Sequence, residues 1–262
     1  MMSKVVSIAN QKGGVGKTTT CMNMAVGLGK KGNKVLVIDF DPQASLTTAF
    51  GYDNPDEIEV TMYDLIRLVI EEDELPPKEK FIKSVGENIS FIPCNIQLSA
   101  AEATLVNTMS REFVLKSIID QIKDEYDYIL IDTLPSLGML NINSLVACDT
   151  VIIPLSPEFL SAKGLELFLM SIIRVKKKLN SKLKIEGILL TMYRTRTRLA
   201  NEVLNMIIEA YGREIHIFQA KIPLSIKVGE AAMNNKSILD YAPHNGAAQA
   251  YQDFVNEVLK ND

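Results

Sequence analysis

The sequence predicts an α/β fold, a mostly parallel, twisted sheet with helices on both faces. Short runs rich in Val, Ile and Leu alternate with amphipathic stretches from one end to the other. The apolar runs lack period-two alternation, which suits strands buried on both faces of a parallel sheet. Each run closes on a polar residue, Pro or Gly. Repeated strand–helix alternation is the signature of helices covering such a sheet.

In chain order, strands are expected at residues 5–9, 35–39, 89–93, 128–132, 150–155, 187–191 and 218–222, and helices at 17–31, 111–123, 137–147, 159–179 and 199–211. Residues 52–83 are acidic and hold Pro55, Pro76 and Pro77, so they read as a surface excursion within one domain. No repeat, low-complexity tract or long linker divides the chain, and a single domain over residues 1–262 is expected. The 47% hydrophobic content suffices for a sizeable core. No apolar run reaches the roughly 18–20 residues needed to span a bilayer. Met1-Met2-Ser3-Lys4 leads straight into a strand, which leaves no room for a signal peptide and makes the cytoplasm the expected location. Cys21, Cys94 and Cys148 are far apart and form no CxxC pair, so they are expected as buried thiols. With only His216 and His244, a His-rich metal site is disfavoured.

The first strand runs into Asn10-Gln11-Lys12-Gly13-Gly14-Val15-Gly16-Lys17-Thr18-Thr19, followed by a helix. Gly16-Lys17-Thr18 ends a phosphate-loop pattern, although Gln11 stands where its first glycine belongs. Gly13, Gly14 and Gly16 let backbone N–H groups close around phosphate oxygens, and the helix aims its positive end at them. Lys17 would reach the β- and γ-phosphates of ATP, and Thr18 would give its hydroxyl to magnesium. The domain is therefore expected to be a P-loop NTPase.

In such sheets, ligands bind beyond the carboxyl ends of the strands. The second strand ends in Asp39-Phe40-Asp41-Pro42-Gln43, where a carboxylate can orient an attacking water or hold hydrated magnesium. Tyr126-Asp127-Tyr128-Ile129-Leu130-Ile131-Asp132 is an apolar strand closed by an aspartate, and Asp132 is placed to accept hydrogen bonds from magnesium-bound water.

Lys12-Gly13-Gly14-Val15-Gly16-Lys17-Thr18-Thr19 resembles the deviant Walker A motif of the ParA/MinD superfamily, and the chain as a whole is most similar to the ParA/Soj partition ATPases. The resemblance implies that Lys12 crosses to the partner subunit's nucleotide, that Asp41 serves the catalytic water, and that Asp39 supports the magnesium side. Leu190-Thr191-Met192-Tyr193 and Ile222-Pro223 look like the family's nucleotide-adjacent segments, which implies contacts from Met192 and Pro223. Leu134 replaces the first of two prolines usual after the Walker B strand. Arg194 stands where the family often has Asp, and Leu224-Ser225 where it has Arg-Asn.

Net charge is −4, but its distribution is uneven. Between Arg174 and Arg198 lie nine basic residues and one acidic residue, Glu186. Nonspecific DNA binding needs several cations on one face and no base readout. The resemblance implies that Arg196 and Lys227 hold DNA, and Arg198 lies in the same basic segment. It also implies an ATP-driven homodimer, nucleoid association, and a ParB-like centromere-binding partner that, with DNA, stimulates slow hydrolysis. A MinD-like membrane-surface ATPase would need a basic amphipathic C-terminal helix, whereas the C-terminal stretch is acidic and is expected to dock. An electron carrier like the nitrogenase iron protein would need two cysteines in a cluster motif, which neither Cys94 nor Cys148 provides. A relative that positions a protein organelle stays open.

Overall fold

The computed structural model describes residues 3–157, 161–194 and 197–261. Its first half runs β1 (Lys4–Ile8), α1 (Lys17–Lys30), β2 (Val35–Phe40), α2 (Ser45–Ala49), α3 (Met62–Ile70), α4 (Lys78–Phe81), β3 (Lys83–Ser84), β4 (Ile89–Ile92), α5 (Leu98–Leu105) and α6 (Val114–Asp120). There follow β5 (Tyr128–Thr133), α7 (Met139–Ala147), β6 (Thr150–Leu155), α8 (Ser161–Lys178), β7 (Lys184–Tyr193), α9 (Arg198–Tyr211), β8 (Ile217–Pro223), α10 (Ile226–Met233), α11 (Ile238–Tyr241) and α12 (Gly246–Asn261). The strands form one sheet in the order β3-β4-β2-β5-β1-β6-β7-β8, parallel except for the edge pair β3–β4.

Each inner strand feeds two cores at once. Leu36 and Ile38 of β2 join the cluster beneath α3 and α5–α9, while Val35 and Val37 join the cluster beneath α1, α11 and α12. Successive side chains point to opposite faces, so a strand covered on both sides is apolar at every position. All seven expected strands form. The strand expected at 187–191 is the longest of them, because β7 runs from Lys184 to Tyr193.

The stretch 52–83 departs from expectation. It is not merely a surface excursion, because α3 sends Met62, Leu65 and Ile66 into the core. Spacing of i, i+3 and i+4 puts these three on one helix face, and Thr61 and Asp64 close a capping box at its start. The acidic run Glu71–Glu74 comes only after this helix and is exposed.

The C-terminal helix docks as expected. Ala247, Ala248, Tyr251, Phe254, Val255 and Val258 are buried on α12, and the Tyr251 hydroxyl meets that of Thr20 on α1 at 3.3 Å. A Cβ built on Gly27 would lie 2.7 Å from Val255 Cγ2, so glycine there sets the close approach of α1 and α12. Among the described residues, no helix is long and apolar enough to cross a membrane. All three cysteines are buried thiols.

Candidate nucleotide site

The site grows from the sheet order. β1 lies between β5 and β6, so the chain leaves β1 where the neighbouring connections diverge and a crevice opens. Residues 10–16 fill that crevice. Asn10 braces them: its amide donates to Pro154 O at 2.7 Å, and its Oδ1 accepts from Lys12 N at 3.0 Å. Thr191 at the end of β7 donates from Oγ1 to Val15 O at 2.8 Å. Val15 is buried, so it offers the loop its backbone rather than its side chain.

Gly14 and Gly16 adopt φ of +68° and +80°, in the left-handed region where a side chain is strained. Gly16 is the N-cap of α1 and has no side-chain cap, which leaves the first-turn N–H groups available to an anion. Gly13, Gly14, Gly16, Lys17, Thr18 and Thr19 line one wall of a cavity of about 600 Å³. Asp41, Pro135, Met192, Pro223, Leu224 and Ser225 also line it. Met192 has φ +49°, an uncommon value for a residue with a Cβ and one that concentrates at functional sites.

Lys17 is buried, and its ammonium donates to Lys12 O at 3.3 Å. Burial lowers its proton affinity, against the opposing pull of Asp132 and Asp41. Lys12 does not line this cavity. It lines a separate open one with Gln11, Ser136, Leu137 and Gly164.

The two strand-end aspartates are brought side by side, because Asp39 on β2 pairs in register with Asp132 on β5, and Asp132 with Ile8 on β1. Their surroundings differ. Asp39 Oδ2 accepts from Thr47 N at 2.8 Å and Thr47 Oγ1 at 2.7 Å, and its Oδ1 accepts from Asp41 N at 3.3 Å. Burial raises its pKa to about 6, the Thr47 bonds opposing. Asp132 is fully buried, and neither carboxylate oxygen accepts a hydrogen bond of ordinary geometry. Burial and the neighbouring Asp39 push its pKa well above the usual carboxylate range, with the nearby Thr18 hydroxyl and Lys17 opposing. A buried carboxylate left without partners is costly unless a cation joins it. Asp132 with the Thr18 hydroxyl therefore fits a hard divalent cation, while the Asp39 carboxylate is taken up by Thr47 and the Asp41 backbone.

Asp41 stands partly exposed at the mouth, one oxygen accepting from Gln43 N at 3.0 Å. Sequence reasoning singled out neither Thr47 nor Asn10. Thr47 lies eight residues beyond Asp39 in a stretch without pattern, and only the fold joins them. Asn10 directly follows the strand, and a side chain able to accept and donate there was a legible signal.

Of the residues expected at a DNA face, Arg196 lies outside the described residues. Arg198 is exposed and pairs with Glu202 at 2.7 Å, and Lys227 pairs with Glu230 at 2.7 Å. Arg194, Thr197 and Leu224 line one common cavity, which brings the β7–α9 segment beside the start of α10. Exposed ion pairs of this kind are weak, so both cations can exchange a carboxylate for another anion.

A family model described as an AAA domain matches residues 3–185. The chain is 41% identical to the sporulation initiation inhibitor protein Soj of Bacillus subtilis, over 99% of this chain and all of that one. It is also similar to the cobyrinic acid a,c-diamide synthase of Mycobacterium smegmatis solved with an ATP analogue and magnesium, with TM-score 0.84, 32% identity and coverage of 99% and 95%. A plasmid partition protein of Borrelia burgdorferi bound to AMPPNP superposes with TM-score 0.81 and 28% identity, over 99% of this chain and all of that one. With its P-loop, paired strand-end aspartates and near-complete alignment to these proteins, the chain belongs to the ParA/Soj family of partition ATPases.

Proposed function

We propose that this chain hydrolyses ATP, dimerises on it, binds duplex DNA nonspecifically as the ATP dimer, and segregates chromosome or plasmid DNA with a ParB-like centromere-binding partner. The carrying observation is the buried Asp132 carboxylate, neither oxygen of which accepts a hydrogen bond of ordinary geometry, set beside a P-loop whose lysine is already buried in the cradle. Solved relatives hold ATP analogues, one with magnesium. Magnesium, held here by Thr18 and Asp132, would neutralise charge on the β- and γ-phosphates.

The chain's own residues do the rest. Backbone N–H groups of residues 13–18 wrap the phosphates, and Lys17 exchanges its bond to Lys12 O for phosphate oxygens. Asp41 orients a water for in-line attack on the γ-phosphorus. The bond from that phosphorus to the β,γ-bridging oxygen breaks, giving ADP and phosphate. Lys12 lines a separate open cavity and not the phosphate cradle, which supports the reading that it serves a second subunit and that the site is completed on dimerisation. Arg196, Arg198 and Lys227 supply the DNA contacts, Asp39 supports the magnesium side from behind, and Met192 and Pro223 flank the base.

A membrane-surface role finds no support in α12, whose apolar face is spent on the core. Co-sedimentation with DNA and with liposomes, each with ATP, ADP or no nucleotide, tests the reading. DNA retention only with ATP, and none on liposomes, is expected; ATP-dependent liposome binding without DNA retention refutes it.

A further inference from the structure

Asp41 sits on a short loop between the end of β2 and the start of α2, and something must hold that loop still. The chain there is strained, since Ala44 adopts φ +49°. Pro42 and Gln43 supply no anchoring side-chain bond among the described residues. Within the loop, Gln43 N donates to Asp41 Oδ1 at 3.0 Å and Ala44 N to Asp41 O at 2.8 Å, bonds that shape the loop without tying it to the sheet. Asp39 Oδ1 accepts from Asp41 N at one end, and Asp39 Oδ2 accepts from both Thr47 N and Thr47 Oγ1 at the other. The buried Asp39 carboxylate thus staples both ends of the loop to one point in the sheet.

Thr47 completes the staple. Its hydroxyl is fully buried, and besides donating to Asp39 it accepts from Cys94 N at 3.0 Å. Cys94 follows β4, the strand beside β2. One hydroxyl therefore saturates a carboxylate on one strand and a backbone N–H beyond the next. Valine has the same shape and can do neither.

From this geometry we propose that Thr47 is a positioning residue for hydrolysis, acting through Asp39 to fix where the Asp41 carboxylate meets the attacking water. The proposal rests on the ATPase reading above. With its oxygens committed to the loop, Asp39 supports the magnesium side only from behind, as the anchor of that loop. Thr47 does not line the nucleotide cavity, so its removal alters kcat and leaves ground-state affinity for ATP in place. Displacing a reacting group by about 1 Å can cost on the order of 100-fold in rate, and a loosened loop falls between that and no effect.

The test measures kcat, KM, equilibrium ATP affinity and thermal midpoint for the parent, Thr47→Val, Thr47→Ala, Thr47→Ser, Asp41→Ala and Thr47→Ala combined with Asp41→Ala. Thr47→Val is expected to lower kcat about 10- to 100-fold with ATP affinity within about twofold of the parent. Thr47→Ser, which keeps the hydroxyl, is expected to restore most of the rate. The double variant should be no slower than Asp41→Ala alone, because residues acting as one unit are not additive. Parent-like kcat in Thr47→Val, or a double variant slower than Asp41→Ala by the full Thr47 effect, overturns the proposal. If Thr47→Val does not fold, Thr47→Ala and its combination with Asp41→Ala decide by the same comparison. A parent that binds ATP but never hydrolyses it, with or without DNA, overturns the ATPase reading instead.

Discussion

Lys17 and Asp132 lie buried in one site with opposite needs, and each is tested by neutralising it. Lys17→Ala should abolish nucleotide binding in a calorimetric titration, since the β- and γ-phosphates would lose the one buried cation of the cradle. Asp132→Asn should do something less obvious. The carboxylate is buried and neither oxygen accepts a hydrogen bond of ordinary geometry, so the neutral amide should stabilise the nucleotide-free fold by about 1–2 kcal/mol, or about 2–6 °C in thermal midpoint. The pH dependence has a definite sign. Asp39 is raised from 3.8 to about 6 by burial, and Asp132 is raised by burial and by Asp39. In the window from 3.8 to about 6 the unfolded chain releases protons that the folded chain retains at Asp39. Stability from this source is full below that window and is lost as pH rises through it. The shift at Asp132 has the same sign, so the gain from Asp132→Asn should be larger at pH 8 than at pH 5. Magnesium-dependent nucleotide affinity should fall in the same variant. An unchanged midpoint at both pH values would show that Asp132 is satisfied in solution.

At the scale of elements, the packing of α1 on α12 allows a sharp test. Gly27→Val places a branched side chain where even a Cβ would come within 2.7 Å of Val255. Overpacking should cost about 2–3 kcal/mol, visible as a lower denaturant midpoint with unchanged slope. The sequence made the seven core strands legible because burial on both faces removes polar positions from them. It made α1, α8 and α9 legible through helical periodicity. It hid β3, whose two residues carry no pattern, and α5, whose buried Leu98, Ala101 and Leu105 sit among small residues. The helix α3 was readable from Thr61 and Asp64 at capping-box spacing, but the acidity of the surrounding segment outweighed that signal. The P-loop and the two strand-end aspartates were read in place, since strand, glycines and helix follow directly in the chain. The difference between Asp39 and Asp132 was not, because it depends on Thr47 and on register across β2 and β5.

For the whole molecule, the expected behaviour is a dimer that carries charge on one face. Lys12→Ala should spare nucleotide binding by the monomer and reduce the ATP-dependent dimer fraction measured by light scattering. A dimer fraction equal to the parent would remove Lys12 from the interface. The DNA face is tested by salt. If Arg196 and Lys227 touch phosphate in both subunits of a dimer, four contacts at about −0.9 each flatten the slope of log affinity against log salt by roughly 3–4 units when both are changed to Ala. ATP binding should persist in that variant, and DNA sequence should matter little. An unaltered slope would move the contacts elsewhere on the surface, with the exposed lysines 176–178 at the end of α8 the next to test.

The buried carboxylate at the end of β5 also bears on how long the protein lasts in a cell. A ligand that binds only the folded chain stabilises it increasingly as its free concentration exceeds its dissociation constant, and a cation at Asp132 would add to this by compensating a carboxylate buried beside Asp39. The nucleotide-free chain is then the state that opens most often and the one a protease meets most readily. Cellular amounts of the protein would follow the supply of magnesium nucleotide, with no separate degradation signal required.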